Sequence, residues 1–283
     1  KNEITFNIEH ETPFIEVNAF KKLEGFIHGF STRLGGVSED IYKSLNLGFY
    51  LGDNRDKVME NYRRLTSAIG IDYKQISCPN QQHHTNVLVV TKEDAGDGIT
   101  RALTHSDIDA QITNIPGIPL IVYSADCVPI MFADPVKKII GTAHAGWRGT
   151  VAGIAARTVE KMQETYGCNP KDIHAAIGPS IGLNSYEVDD TVINGLKECK
   201  YIDMSREFDS SYELYINAEK PGKYMFNLQL TNELILINEG LSKDHIYQTN
   251  LCTMEHHDIF FSHRFTNGRR GLNAGMIQMI LKN

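Results

Sequence analysis

Apolar and polar positions alternate through ITFNIEH (4–10) and PFIEVNAF (13–20), the period of two expected of half-buried strands. EGFIHGFSTRLGGVS (24–38) continues as a strand that runs into a glycine turn. Between residues 53 and 69 the period lengthens: Val58, Tyr62, Leu65 and Ile69 recur at helical spacing, with Asp53 or Asn54 as the cap. NVLVVT reads as a strand, and GIPLIVYSADCVPIMFAD (117–134) holds one or two buried ones. KKIIGTAHA leads into a helix whose apolar face is Val151, Ile154, Ala155, Thr158, Met162 and Tyr166, stopped by Gly167. DIHAAIGPSIG is a further strand, followed by an irregular acidic region to about residue 224. NLQLTNELILINEGL reads as helix, and DHIYQT and DIFFSHR return to strand. Strands and helices mix without strict βα alternation, which favours an α+β (mixed α/β) fold.

No repeat, low-complexity tract or Pro/Ser-rich linker divides the 283 residues, so the chain, 1–283, reads as a single domain. A net charge of -7, with both signs interspersed, argues against a nucleic-acid partner, which needs a basic footprint. Five scattered cysteines without a CxxC pair read as reduced thiols, and the N-terminus shows no apolar secretory region. The most apolar stretch is broken by prolines and an aspartate, so no membrane span is expected. These features together point to a soluble, cytoplasmic protein, and they leave the oligomeric state open.

Three soft-ligand candidates sit where strands give way to turns: His83 in QQHHTNV, Cys127 in SADCVP and His144 in GTAHAGWRGT. Two imidazoles and a thiolate suit Zn²⁺ and leave a fourth position for water or substrate. Their spacing matches no compact zinc signature, and a buried thiol with two hydrogen-bonded structural histidines is the plainer alternative. Of the pair His83–His84, strand alternation lets only one face a given site. His256–His257 reads as surface or rim. Cys127 and His144 also admit a nucleophile-and-base reading, with Asp126 or Asp109 orienting the imidazole. Arg33, Arg148 and Arg264 each follow an apolar strand beside glycine, and their guanidinium forks suit an oxyanion. Neither GxxxxGK[ST] nor a GxGxxG after the first strands is present, so nucleotide triphosphate and dinucleotide sites are unsupported.

Taken in order, HGFSTRLGGVS, SLNLG, QQHHTNV, SADCVPIMFAD, GTAHAGWRGT, IGPSIGLNSYEV and FFSHR resemble the YlmD/YfiH family of purine nucleoside phosphorylases, from about residue 25 to 278. Some members carry a laccase-like polyphenol oxidoreductase name and others the name peptidoglycan editing factor. The resemblance implies a single-domain α/β/β/α sandwich with mixed sheets, and a metal centre of His83, Cys127 and His144. Zinc is the expected ion; copper fits less well, because a laccase needs several coppers and more histidines. The glycines of GTAHAGWRGT are expected to let His144 and the Trp147 turn approach the metal cavity. Arg33, Asn46, Gln81, Arg148 and Arg264 become the expected substrate and phosphate contacts, and Asp126 and Asp109 the catalytic carboxylates. Which of Arg269 and Arg270 matches the family's later arginine stays open.

The implied activity is phosphorolysis of adenosine and inosine, with methylthioadenosine as a further substrate and adenosine deamination as a side activity of some members. Purine nucleosides and phosphate are then the partners. A cysteine hydrolase or amidase using Cys127 and His144, and a non-catalytic module held by a zinc with four protein ligands, are the alternatives.

Overall fold

Two β-sheets lie face to face with helices on both outer sides. The computed structural model describes residues 3–202 and 213–280. The first sheet is antiparallel throughout, in the order Ile4–Asn7, Phe14–Val17, Phe26–Ser31, Asn273–Met279, Leu120–Ser124. The second is mixed: Ile246–Gln248, His174–Ile177, Val128–Asp134, Ile139–Ala145, Ala110–Thr113, Val87–Val89. Its edge pairs are parallel and its central pairs antiparallel. The sheets share a core in which Ile15, Phe30 and Ile277 of the first meet Met131, Ile140 and Ala176 of the second.

The outer faces explain the helices. Arg55–Ile69 buries Val58, Tyr62 and Leu65 against Ile121, Ala274 and Met276 of the first sheet. Burying each large aliphatic side chain contributes about 1.5–3 kcal/mol. Asn54 caps this helix by accepting from the backbone N–H of Asp56 and Lys57, and Gly70 ends it at φ 91°. On the far side, Ile154–Tyr166 and Leu228–Asn238 pack on the second sheet. The layers are therefore α/β/β/α.

The structure departs from the sequence pattern in four places. The helix after His144 is two helices, Trp147–Val151 and Ile154–Tyr166, because Gly153 adopts φ 83° between them. A Cβ on Gly153 would collide with the Tyr201 ring, so both conformation and space call for glycine. The region read as irregular contains the helix Asp190–Lys197 and a small antiparallel sheet, Glu187–Asp189, Lys223–Phe226 and Tyr215–Asn217; residues 203–212 of that region lie outside the described residues.

DIFFSHR is a turn followed by the helix His263–Thr266, not a strand. Phe260 and Phe261 plug the core from a loop, and Ser262 accepts from the Phe265 N–H to start the helix. Conversely, Asn273–Met279 carries no alternating pattern, because all seven positions are buried between neighbours on both sides.

Candidate metal centre and its cavity

The strand Ile139–Ala145 delivers His144 at its end, and the short turn from Leu120–Ser124 to Val128–Asp134 delivers Cys127. That turn passes through Asp126 at φ 91°, a conformation a non-glycine residue holds only when its surroundings fix it. They do: the Asp126 carboxylate accepts from Thr253 Oγ1 and from the Arg264 N–H, each at 2.6 Å.

His83 comes from a separate segment, on a bend with φ 65°. Its placement is set by Asp109, just before the strand Ala110–Thr113. The backbone N–H groups of Gln82, His83 and His84 donate to the Asp109 carboxylate at 3.0, 2.9 and 2.9 Å. His144 Nδ1–H donates to the same carboxylate at 2.8 Å, which leaves His144 Nε2 for a ligand.

The donor atoms of His83, Cys127 and His144 lie within 4.8 Å of one another. Cys127 Sγ is 3.8 Å from His83 Nε2, against about 3.5 Å for a nitrogen and a sulfur sharing one tetrahedral zinc. Two neutral imidazoles and a thiolate form a donor set that zinc accepts, so the residues present fit the ion. Among the described residues the cluster has three His, Cys, Asp or Glu members and no fourth.

Burial works against a charged thiolate, but the charge of His144 and hydrogen bonds from both histidines prevail and lower the Cys127 thiol. Burial likewise opposes the His144 imidazolium, yet Cys127 and Asp109 raise it. Asp109 stays below its ordinary value despite burial, through His144 and the loop N–H groups.

Gly146 closes the site from beneath. A Cβ there would lie 2.9 Å from His83 Cδ2 and 3.0 Å from Cys127 Sγ. The absent side chain is what lets the chain pass under the cluster, whereas Trp147 starts a helix and packs outside the cavity wall, with Arg148 over its ring at 4.3 Å.

A cavity of about 270 Å³ opens beside the cluster, and all three candidate ligands line it. Its other walls are largely apolar and aromatic: Phe49, Tyr50, Leu51, Leu103, Tyr123 and Leu272. Of the five expected substrate and phosphate contacts, only Gln81 lines it, and its amide pairs with both the N–H and the carbonyl of Tyr123. Asn46 is fully buried and braces the wall, accepting from the N–H of Gly48 and Leu272. Arg33 donates to the carbonyls of Lys43 and His257, and Arg264 to that of Glu187. Arg264 lies over the Tyr186 ring at 5.1 Å; burial and the charge of Cys127 raise the Tyr186 phenol, against the opposing charges of Arg264 and Arg148.

His84 turns away to Asp107, 2.6 Å from its carboxylate, and is exposed; His256 is exposed and His257 stacks on Phe265. All five cysteines are free. Arg270, one of the two arginines the family resemblance left open, lines the cavity, as do Tyr50 and Tyr123, which the motifs did not single out. The signal for Arg270 was its place just before Gly271, and that for Tyr50 its place just after the SLNLG block.

Residues 27–280 match the family described as multi-copper polyphenol oxidoreductase laccase. The chain is 36% identical over 254 residues to purine nucleoside phosphorylase YlmD of Bacillus subtilis, covering 89% of this chain and 88% of that one. It is 32% identical over 257 residues to adenosine deaminase RL5 of an unknown prokaryotic organism, covering 90% and 93%. The crystal structure of YlmD from Geobacillus stearothermophilus superposes with a TM-score of 0.89 at 33% identity, over 98% of this chain and 99% of that one. The chain belongs to this YlmD-containing family.

Proposed function

We propose that this family member is a zinc-dependent purine nucleoside phosphorylase that splits adenosine or inosine with inorganic phosphate. The observation that carries the reading is the His83–Cys127–His144 cluster set in the wall of a small-molecule cavity. The names of the relatives supply the reaction class. In that reaction a phosphate oxygen bonds to C1′ as the C1′–N9 bond breaks; the electron pair leaves with the purine, which takes up a proton. The products are free base and ribose 1-phosphate.

His83, Cys127 and His144 would hold the ion, and zinc bound there supplies a Lewis acid to the substrate. The remaining roles belong to the chain. Phe49, Tyr50 and Tyr123 offer aromatic faces to a purine, and the apolar wall excludes water from it. Gln81 fixes the Tyr123 wall through two hydrogen bonds. We assign Asp109 and Asp126 to positioning rather than proton transfer, because their oxygens already accept from the site's own N–H and O–H groups.

The line Asp109–His144–Cys127 also has the order of a cysteine nucleophile with its oriented base. His83 supports the metal reading over this one, because a nucleophile needs one imidazole whereas this thiol is met by two. A module closed by four protein ligands finds no fourth one among the described residues.

The test is hypoxanthine release from inosine, with and without phosphate, by wild type, chelator-treated protein and Cys127→Ala. Phosphate-dependent release, lost together with metal in the last two, is expected. Equal release without phosphate, or full activity of metal-free protein, overturns the reading.

A further inference from the structure

Arg33 and Arg264 spend hydrogen bonds on backbone carbonyls, and Arg148 lies exposed over Trp147. Arg270 is placed differently. It lines the same cavity as the three candidate ligands, and its Nε atom is buried without a hydrogen-bond partner. Its Nη2 comes no closer than 3.5 Å to His263 Nδ1, the one contact it makes with a polar side chain among those described.

Among the described residues, no Asp or Glu belongs to the cavity wall. A guanidinium N–H taken from water without an acceptor is costly, as Nε–H is here, and burial lowers the Arg270 pKa against the opposing charges of Cys127 and Asp126. A cation kept in that state is one whose acceptor arrives with a ligand.

The backbone on both sides holds the side chain in place. Asn267 and Gly268 turn the chain at φ 51° and 86°. Gly271 has no room for a Cβ, which would sit 2.7 Å from Phe261 Cζ and 2.9 Å from Asn46 Cβ. Asn46 Oδ1 then accepts the Leu272 N–H at 3.0 Å. The same Asn46 oxygen accepts the N–H of Gly48, so one buried amide ties the Arg270 segment to the Gly48–Leu51 part of the cavity wall.

We propose that Arg270 is the anion-holding residue of this cavity and that its ligand is inorganic phosphate, gripped through the Nε–H and an Nη–H. The proposal rests on the phosphorolytic reading for its choice of anion. Two parallel N–H donors match two oxygens of a tetrahedral oxyanion, a fit that a lysine ammonium does not reproduce.

The experiment measures binding of inorganic phosphate to the metal-loaded protein by calorimetry, for wild type, Arg270→Gln and Arg270→Lys, alongside the phosphate KM. Arg270→Gln should weaken phosphate by about tenfold to a hundredfold, raise its KM in parallel, and leave metal content and nucleoside KM unchanged. Arg270→Lys, which keeps charge and bulk but loses the fork, should recover part of the loss.

Unchanged phosphate affinity in both variants overturns the proposal, as does a loss confined to Arg148→Gln or Arg264→Gln. Phosphate binding needs no turnover, so the two ideas fail separately. Arg270-dependent phosphate binding without nucleoside cleavage would sink the phosphorylase reading alone. Phosphorolysis indifferent to Arg270 would sink this one.

Discussion

Asp109 accepts the His144 Nδ1–H at 2.8 Å and, with the same carboxylate, the backbone N–H groups that shape the His83 bend. One side chain thus sets both the ring orientation of one candidate ligand and the approach of another. In Asp109→Asn, either amide orientation puts an NH₂ against N–H donors. We expect about 1–3 kcal/mol lower stability for the unmatched groups and metal affinity about 10–100-fold weaker. Denaturant unfolding and competition with a chromophoric chelator read the two effects separately.

Gly146→Ala isolates the site from the fold. Its backbone, at φ -69°, suits alanine, so the sole obstacle is the Cβ pressing on His83 and Cys127. Metal affinity and turnover should fall while the unfolding midpoint stays close to wild type. A variant that binds metal as tightly as wild type would show that the cluster relaxes around the added methyl.

The two adjacent histidines should separate cleanly. His83→Ala removes a donor atom of the cluster, whereas His84 faces Asp107 in solvent. Metal analysis after dialysis should find His84→Ala loaded and His83→Ala depleted. Equal depletion of both would place His84 in the site.

Acid should destabilise the protein through His28. This histidine is 1% exposed, and its Nε2 accepts the Val17 N–H at 2.9 Å, a bond that requires the neutral ring. Burial lowers its pKa to about 4, with Glu16 opposing and Lys21 assisting. The unfolded chain therefore takes up a proton near pH 6.5 that the folded chain refuses until about pH 4. The associated stability is present above pH 6.5 and falls by about 3 kcal/mol as pH drops to 4. Urea midpoints across that range should slope less in His28→Gln, which keeps an acceptor and cannot titrate. His174, also lowered to about 4 by burial and by His245, supplies a slope that remains.

The amphipathic helix with its cap at Asp53 or Asn54, the ADC and HAGW blocks and the three soft-ligand candidates were legible in the chain itself. Helical spacing and cap chemistry are local properties, and the ordered blocks carry the family resemblance. The pattern failed where burial is two-sided, as in Asn273–Met279, or where a loop supplies the core, as at Phe260 and Phe261.

The site shows the same division. Residue type marked His83, Cys127 and His144, but alternation along a strand is not what separates His83 from His84; a bend at φ 65° held by Asp109 does. Nor could the chain say that Arg33 and Arg264 donate to backbone carbonyls while Arg270 lines the cavity with a buried, unpartnered nitrogen in its side chain. A sequence records which groups are able to bond and roughly whether they are buried. Which partner each one meets depends on segments far apart in the chain, and only the packing of the two sheets brings those together.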